Sequence, residues 1–113
     1  MTHEKQWKEV VEKNKNDIQY QSGTQFIPNE KYFQEYKLFQ YMLLWKATFC
    51  PEYEPNWENE HECKCRIEFI ESKKKWVVSY SWGFQSNMQV YLPTRELAEQ
   101  MLEDLKDVGV IKE

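Results

Sequence analysis

Apolar positions along the chain follow two different spacings, and the switches between them mark out the elements. In residues 3–19, Trp7, Val10, Val11 and Ile18 recur at the three-to-four spacing of one helix face, which Asn14 interrupts. Gln19 to Pro28 reads as a loop punctuated by Gly23 and Pro28. Residues 30–49 carry the clearest helical pattern, with Asn29 as N-cap and Glu30 in the first turn, where an acid complements the positive helix end. Tyr32, Tyr36, Phe39 and Leu43 form one stripe, and Leu38, Met42, Trp45 and Phe49 form a second. Two stripes make an apolar face wider than a surface helix needs. Such a helix is covered on more than one side or leaves a strip for a partner, and burial is the commoner outcome.

Pro51 cannot continue the helix, and a loop centred on Pro55-Asn56-Trp57 follows. The spacing then changes to two. Cys63, Cys65, Ile67 and Phe69 alternate with Lys64, Arg66 and Glu68, which places the two sets on opposite faces of a strand over 63–70. Trp76, Val78, Tyr80 and Trp82 mark one face of a second strand over 76–82. The short polar link Glu71 to Lys75 predicts an antiparallel hairpin. Gly83 to Asn87 reads as a turn, and Met88, Val90 and Leu92 as one face of a third strand over 88–92. Thr94 then caps a last helix whose buried face is Leu97, Met101, Leu102, Leu105 and Val108, with Gly109 as its stop. The expected fold is α+β in the order ααβββα, a three-stranded antiparallel meander with helices packed on one face. Residues 1–113 read as a single domain.

Composition adds that a core is within reach. The mean hydropathy is low, at -0.88, but five Trp, seven Tyr and six Phe supply large apolar surfaces. Disorder would require few aromatics and a large net charge, and the net charge is only -4. No run approaches the length of a membrane span, and the polar start Met1 to Trp7 has no apolar signal core, so a cytoplasmic location without membrane contact is expected. Three cysteines, an odd number, fit reduced thiols better than a disulfide framework.

Charge is distributed unevenly, which brings out two candidate surfaces. Residues 51–62 contain Glu52, Glu54, Glu58, Glu60 and Glu62 and no Lys or Arg. Spaced carboxylates can imitate a run of phosphates and steer toward a basic groove, with Tyr53 and Trp57 as apolar anchors. The competing reading is a solvated loop pinned by a buried Trp57. The second surface is the Lys73, Lys74, Lys75 run with Lys64, Arg66 and nearby rings, a pattern that can hold single-stranded nucleic acid by phosphate contact and stacking. The competing reading there is a lysine-rich turn that keeps a sheet edge soluble, and the overall acidity favours it.

Catalytic and metal chemistry finds less to build on. Cys50, His61, Cys63 and Cys65 are ligand types that zinc accepts, but the single-residue spacing of His61, Cys63 and Cys65 is not that of the common zinc knuckles, and Cys65 is expected in the core. A cysteine nucleophile needs a positioned base, and neither His3 nor His61 sits in a recognisable elbow. Three scattered glycines cannot form a phosphate-cradling loop. The expectation is a binding protein without catalytic residues, resident metal or cofactor.

The order of parts also resembles that of small accessory proteins encoded by bacteriophages and mobile elements. Their recurring layout is a helix, a Pro-Asn-Trp or Pro-Asp-Trp loop, two strands, and a short strand leading into a Thr-x-Glu helix. The matching parts here are Tyr32 to Trp45, Pro55-Asn56-Trp57, Cys63 to Trp82, and Val90-Tyr91-Leu92-Pro93-Thr94-Arg95-Glu96-Leu97-Ala98-Glu99. The likeness covers roughly half the chain and departs from the layout at Leu92, where Phe is commoner. It carries no functional residue over. It implies a protein of the bacterial cytoplasm that acts by binding, and one such class, the anti-CRISPR proteins, blocks host defence complexes. On that implication the expected partner is a host protein or nucleoprotein complex, with nucleic acid itself as the alternative.

Overall fold

A computed structural model describes residues 2–18, 30–81 and 89–112, the side chains of 16–18 and 30–33 excepted. The loop expected over Gln19 to Pro28, the Asn29 cap, Trp82, the turn Gly83 to Asn87 and Met88 lie outside the described residues, as do the side chains of Ile18 and Tyr32.

Three helices and one hairpin follow in the order α1 (His3–Ile18), α2 (Glu30–Phe49), β1 (Lys64–Ile70), β2 (Lys75–Ser81) and α3 (Arg95–Asp107). Each element begins or ends where local chemistry requires it. Thr2 caps α1, its hydroxyl oxygen accepting from the Lys5 N–H at 3.2 Å. Asn14, the polar break in the α1 face, turns its amide back onto the Val10 carbonyl at 2.8 Å. Thr94 caps α3 by accepting from the Leu97 N–H at 3.2 Å. Gly109, at φ +79°, reverses the chain beyond α3, and the Val110 and Ile111 amides return to the Leu105 carbonyl.

The two helical stripes of α2 part company. Met42 and Trp45 of the second are fully buried, with Leu38 and Phe49 half-buried beside them. Of the first, Tyr36 and Leu43 are 39% and 47% exposed. A continuous buried face instead recruits Tyr41, at the three-to-four spacing from Leu38 and Trp45. Helix α3 packs on both strands, α2 lies against α3, and α1 lies against α2. Trp7, Trp45, Ile67, Leu92, Met101 and Leu105 are the centre of the core.

The hairpin register pairs Cys65 with Tyr80, Ile67 with Val78 and Phe69 with Trp76, so the apolar faces read from the sequence do coincide. Lys74 closes the four-residue turn at φ +53°.

The third strand is a correction. Among the described residues the sheet has two strands, and the expected 88–92 strand contributes a single antiparallel bridge, Leu92 to Cys65. That bridge lies on the outer edge of β1 and not beside β2, so the arrangement is not a meander. The Cys65 N–H and C=O both pair with Leu92, at 2.9 and 2.8 Å, and the Gln89 amide donates to the Ile67 carbonyl at 3.3 Å. The physical reason lies in three consecutive buried residues, Val90, Tyr91 and Leu92. A chain covered on both sides loses the alternation of a one-faced strand. Pro93, with no N–H, cannot extend the ladder. Among the described residues no helix is long and apolar enough to cross a membrane.

Candidate functional site

The acidic segment between α2 and β1 folds onto itself through its own polar side chains. Asn56 and Asn59 each make an Asx turn, their side-chain oxygens accepting from the Glu58 and His61 amides at 3.1 and 3.0 Å. The Asn59 N–H donates to the Asn56 carbonyl, and the Glu62 N–H to the Asn59 carbonyl. The Glu62 carboxylate points inward, accepting from the Tyr53 hydroxyl at 3.0 Å and from the Asn56 N–H at 3.2 Å. Burial, and then that bond to Glu62, push the Tyr53 phenol well above the ordinary tyrosine range. Trp57 meets Tyr91 edge to face, ring centres 4.8 Å apart.

Beneath the loop lies Lys64. Alternation along β1 assigns it to a solvent-facing set, yet it is 0% exposed. Its ammonium donates to the carbonyls of Asn59 and Glu62, at 3.0 and 2.9 Å, and stands 5.1 Å from the Trp57 ring centre.

These contacts sort the expected site residues. Glu52, Glu54, Glu58 and Glu60 are exposed and face solvent together on one loop. Tyr53, Trp57 and Glu62 are half-buried parts of its frame, so the rings pin the loop and Glu62 belongs to its interior. In the basic set, Lys73, Lys74 and Lys75 are exposed at the hairpin turn, with Lys74 paired to Glu71 at 2.6 Å. Lys64 is unavailable to a phosphate because the loop covers it. Arg66 is mostly buried beside Glu68, at 3.6 Å. The basic strip therefore shortens to the turn.

The cysteines and His61 do not converge. His61 is exposed, Cys50 and Cys63 are half-buried, and Cys65 is in the core. Among the described residues no group of three or more His, Cys, Asp or Glu side chains is placed to hold a metal ion. Burial, and then the neighbouring Cys63, push the Cys65 thiol up to about 11, which keeps it protonated and a poor nucleophile.

Sequence reasoning missed the most connected polar residue, Asp104 on the buried face of α3. One carboxylate oxygen accepts from His3 Nε2 at 2.6 Å and from the Trp45 indole at 2.7 Å; the other accepts from the Gln100 amide at 3.0 Å. Its backbone carbonyl accepts from the Trp7 indole at 3.1 Å. His3 stacks on Phe49 with ring centres 4.1 Å apart. A carboxylate that orients an imidazole is half of a general-base relay. Here the carboxylate is shared with an indole and an amide, which makes it a clamp joining three helices. The available signal was an Asp seven residues after Leu97 and three after Met101, on the apolar face of α3.

A groove of about 660 Å³ lies elsewhere, between the first half of α2, the Phe69 and Trp76 rings and residues 109–112, and none of the expected site residues lines it. Comparison with protein-family models, with curated proteins and with solved structures finds no match to this chain.

Proposed function

We propose that this protein acts by binding, and that the loop of Glu52, Glu54, Glu58 and Glu60 docks on a basic surface of a host protein or nucleoprotein complex that handles nucleic acid. The observation that carries this reading is the combination of an internally bonded loop with four carboxylates left outside those bonds. A loop already ordered loses less conformational entropy on docking, and a row of like charges steers the encounter. The phage-like order of parts supports a host-directed inhibitor, of the anti-CRISPR kind, as the biological form of such binding.

Nucleic-acid binding is the competing function. It rests on Lys73, Lys74 and Lys75, since Lys64 is covered. One experiment separates the two. Tagged protein is used to capture partners from nuclease-treated host lysate, beside a variant with all four outward glutamates changed to lysine. A nuclease-resistant protein held by the wild type and lost by the variant is the expected result. Equal capture by a variant with wild-type circular dichroism would refute the loop as the docking surface. Recovery of nucleic acid without a protein partner, weakening steeply with salt, would move the function to the hairpin turn.

A further inference from the structure

An ammonium group with no exposure is an unusual resident of a protein interior, because charged side chains are rarely buried without compensation. Lys64 resides beneath the most acidic stretch of the chain. An ammonium carries three donors and no acceptor. Two carbonyls of the loop, those of Asn59 and Glu62, lie at 3.0 and 2.9 Å, and the Trp57 ring presents its negative face. Residues 51–62 bring five carboxylates and no cation of their own. Carbonyl dipoles of the acidic loop therefore lie at close range to the charge. Carbonyl oxygens turned inward on a cation, in an acid-rich loop, are also how proteins hold calcium.

We infer that Lys64 is an internal counter-cation and the positioning residue of the acidic loop, holding from within the shape that a bound metal ion would hold in loops of similar charge. The inference rests on the loop being the docking surface for its bearing on function, but not for its test. With the ammonium in place, the Asn59 and Glu62 carbonyls are turned inward and the four other glutamates outward. Without it, the two carbonyls lose their shared donor, and the loop reverts to an ensemble held by its Asx turns.

The test is hydrogen exchange at the Asn59, His61 and Glu62 amides in wild type and in Lys64→Met, which keeps an unbranched apolar stem against Trp57 but removes the charge. Exchange at these amides is expected to accelerate about tenfold or more, the size of one to two charge-assisted bonds. Amides of α3 are expected to be unchanged. Wild-type exchange rates in Lys64→Met would overturn the inference. A measurement on the native chain covers the case in which the variant fails to fold. In pulse acetylation read by mass spectrometry, Lys64 is expected to react at least about tenfold more slowly than Lys73 and Lys75, because its amine is bonded and covered. Equal labelling would refute the latch. Binding of a synthetic oligo-lysine peptide to Lys64→Met separates the two readings. Faster loop exchange with undiminished peptide binding would leave the latch standing and show that docking by the four glutamates does not require the ordered loop.

Discussion

Replacing Asp104 tests whether three helices are joined by one carboxylate. Asp104→Leu removes every side-chain acceptor at this point while keeping the branched heavy-atom outline, with bulkier methyls in place of the oxygens and a better helix former. The four donors respond differently. The Trp7 indole bonds the backbone carbonyl and keeps its partner. His3 is 38% exposed in its side chain and Gln100 is exposed, so both can turn to water. Trp45 cannot, because it is 0% exposed and its N–H has no route to solvent. Leaving one such donor unpaired costs about 1–3 kcal/mol, and losing the His3 contact adds about 1 kcal/mol. Relief of the desolvation of a buried carboxylate offsets part of this. The net expectation is a loss of about 2–3 kcal/mol, against a total stability of about 5–15 kcal/mol for a domain. Asp104→Asn keeps an oxygen for Trp45 and His3 and loses the charge and the oxygen that accepts from the exposed Gln100, which can turn to water, for about 1 kcal/mol. Urea titrations followed by tryptophan fluorescence and far-ultraviolet circular dichroism would read the difference as a midpoint shift of about 1–2 M for Leu, with m unchanged. A Leu variant within about 0.5 kcal/mol of wild type would refute the argument. An Asn variant as unstable as Leu would show that charge, and not an acceptor for Trp45, holds the clamp.

Other outcomes follow from single observations. The Cys65 thiol lies at about 11 in the fold against an ordinary 9.0, so ionisation favours the unfolded chain. Its contribution is complete below pH 9 and is lost as pH rises through 11, roughly 3 kcal/mol at most, with Tyr53 acting in the same sense above its ordinary 10.0. Chemical unfolding at pH 8 and pH 10.5, repeated on Cys65→Ala, would detect this as a pH dependence that the variant lacks in part; a flat profile in the wild type would contradict it. Gly109→Ala meets no atom within 4 Å but must hold φ at +79°, so a loss of about 1–2 kcal/mol from backbone conformation alone is expected in thermal unfolding. Changing Glu52, Glu54, Glu58 and Glu60 singly to Gln is expected to leave stability within about 0.5 kcal/mol, since none of the four is part of the loop's frame. A larger loss in the same unfolding assay would assign that carboxylate a structural partner.

The helices were legible because their signals are local. Thr94, Gly109 and the spacing of Leu97, Met101 and Leu105 act within a turn or two of where they are written. The hairpin was legible for the same reason, its short link leaving one way for Trp76, Val78 and Tyr80 to face Phe69, Ile67 and Cys65. The third strand was misread because Val90 and Leu92 fit alternation while the equally buried Tyr91 does not, and Tyr91 is covered by Trp57 from far along the chain. Lys64 was misread for a related reason. Alternation does place it opposite Cys65 and Ile67, but a loop covers that end of the strand. In both cases the loop over 51–62 decided the burial, and its shape comes from side-chain bonds that periodicity does not register. Asp104 gives no periodic sign of its polar role, because its partners His3, Trp7 and Trp45 belong to other helices.

The clamp also constrains the order of events on the ribosome. Helix α1 is made before α3, and the acceptor for Trp7 belongs to a residue 97 positions later. At about 5–20 residues per second, translation of that interval takes roughly 5–20 s. For that time α1, only 16 residues long, exists without the carbonyl and carboxylate that dock it, and a helix of that length is marginal in water by itself. The apolar face of Trp7, Val10 and Val11 is therefore open to chaperones on the nascent chain until α3 emerges.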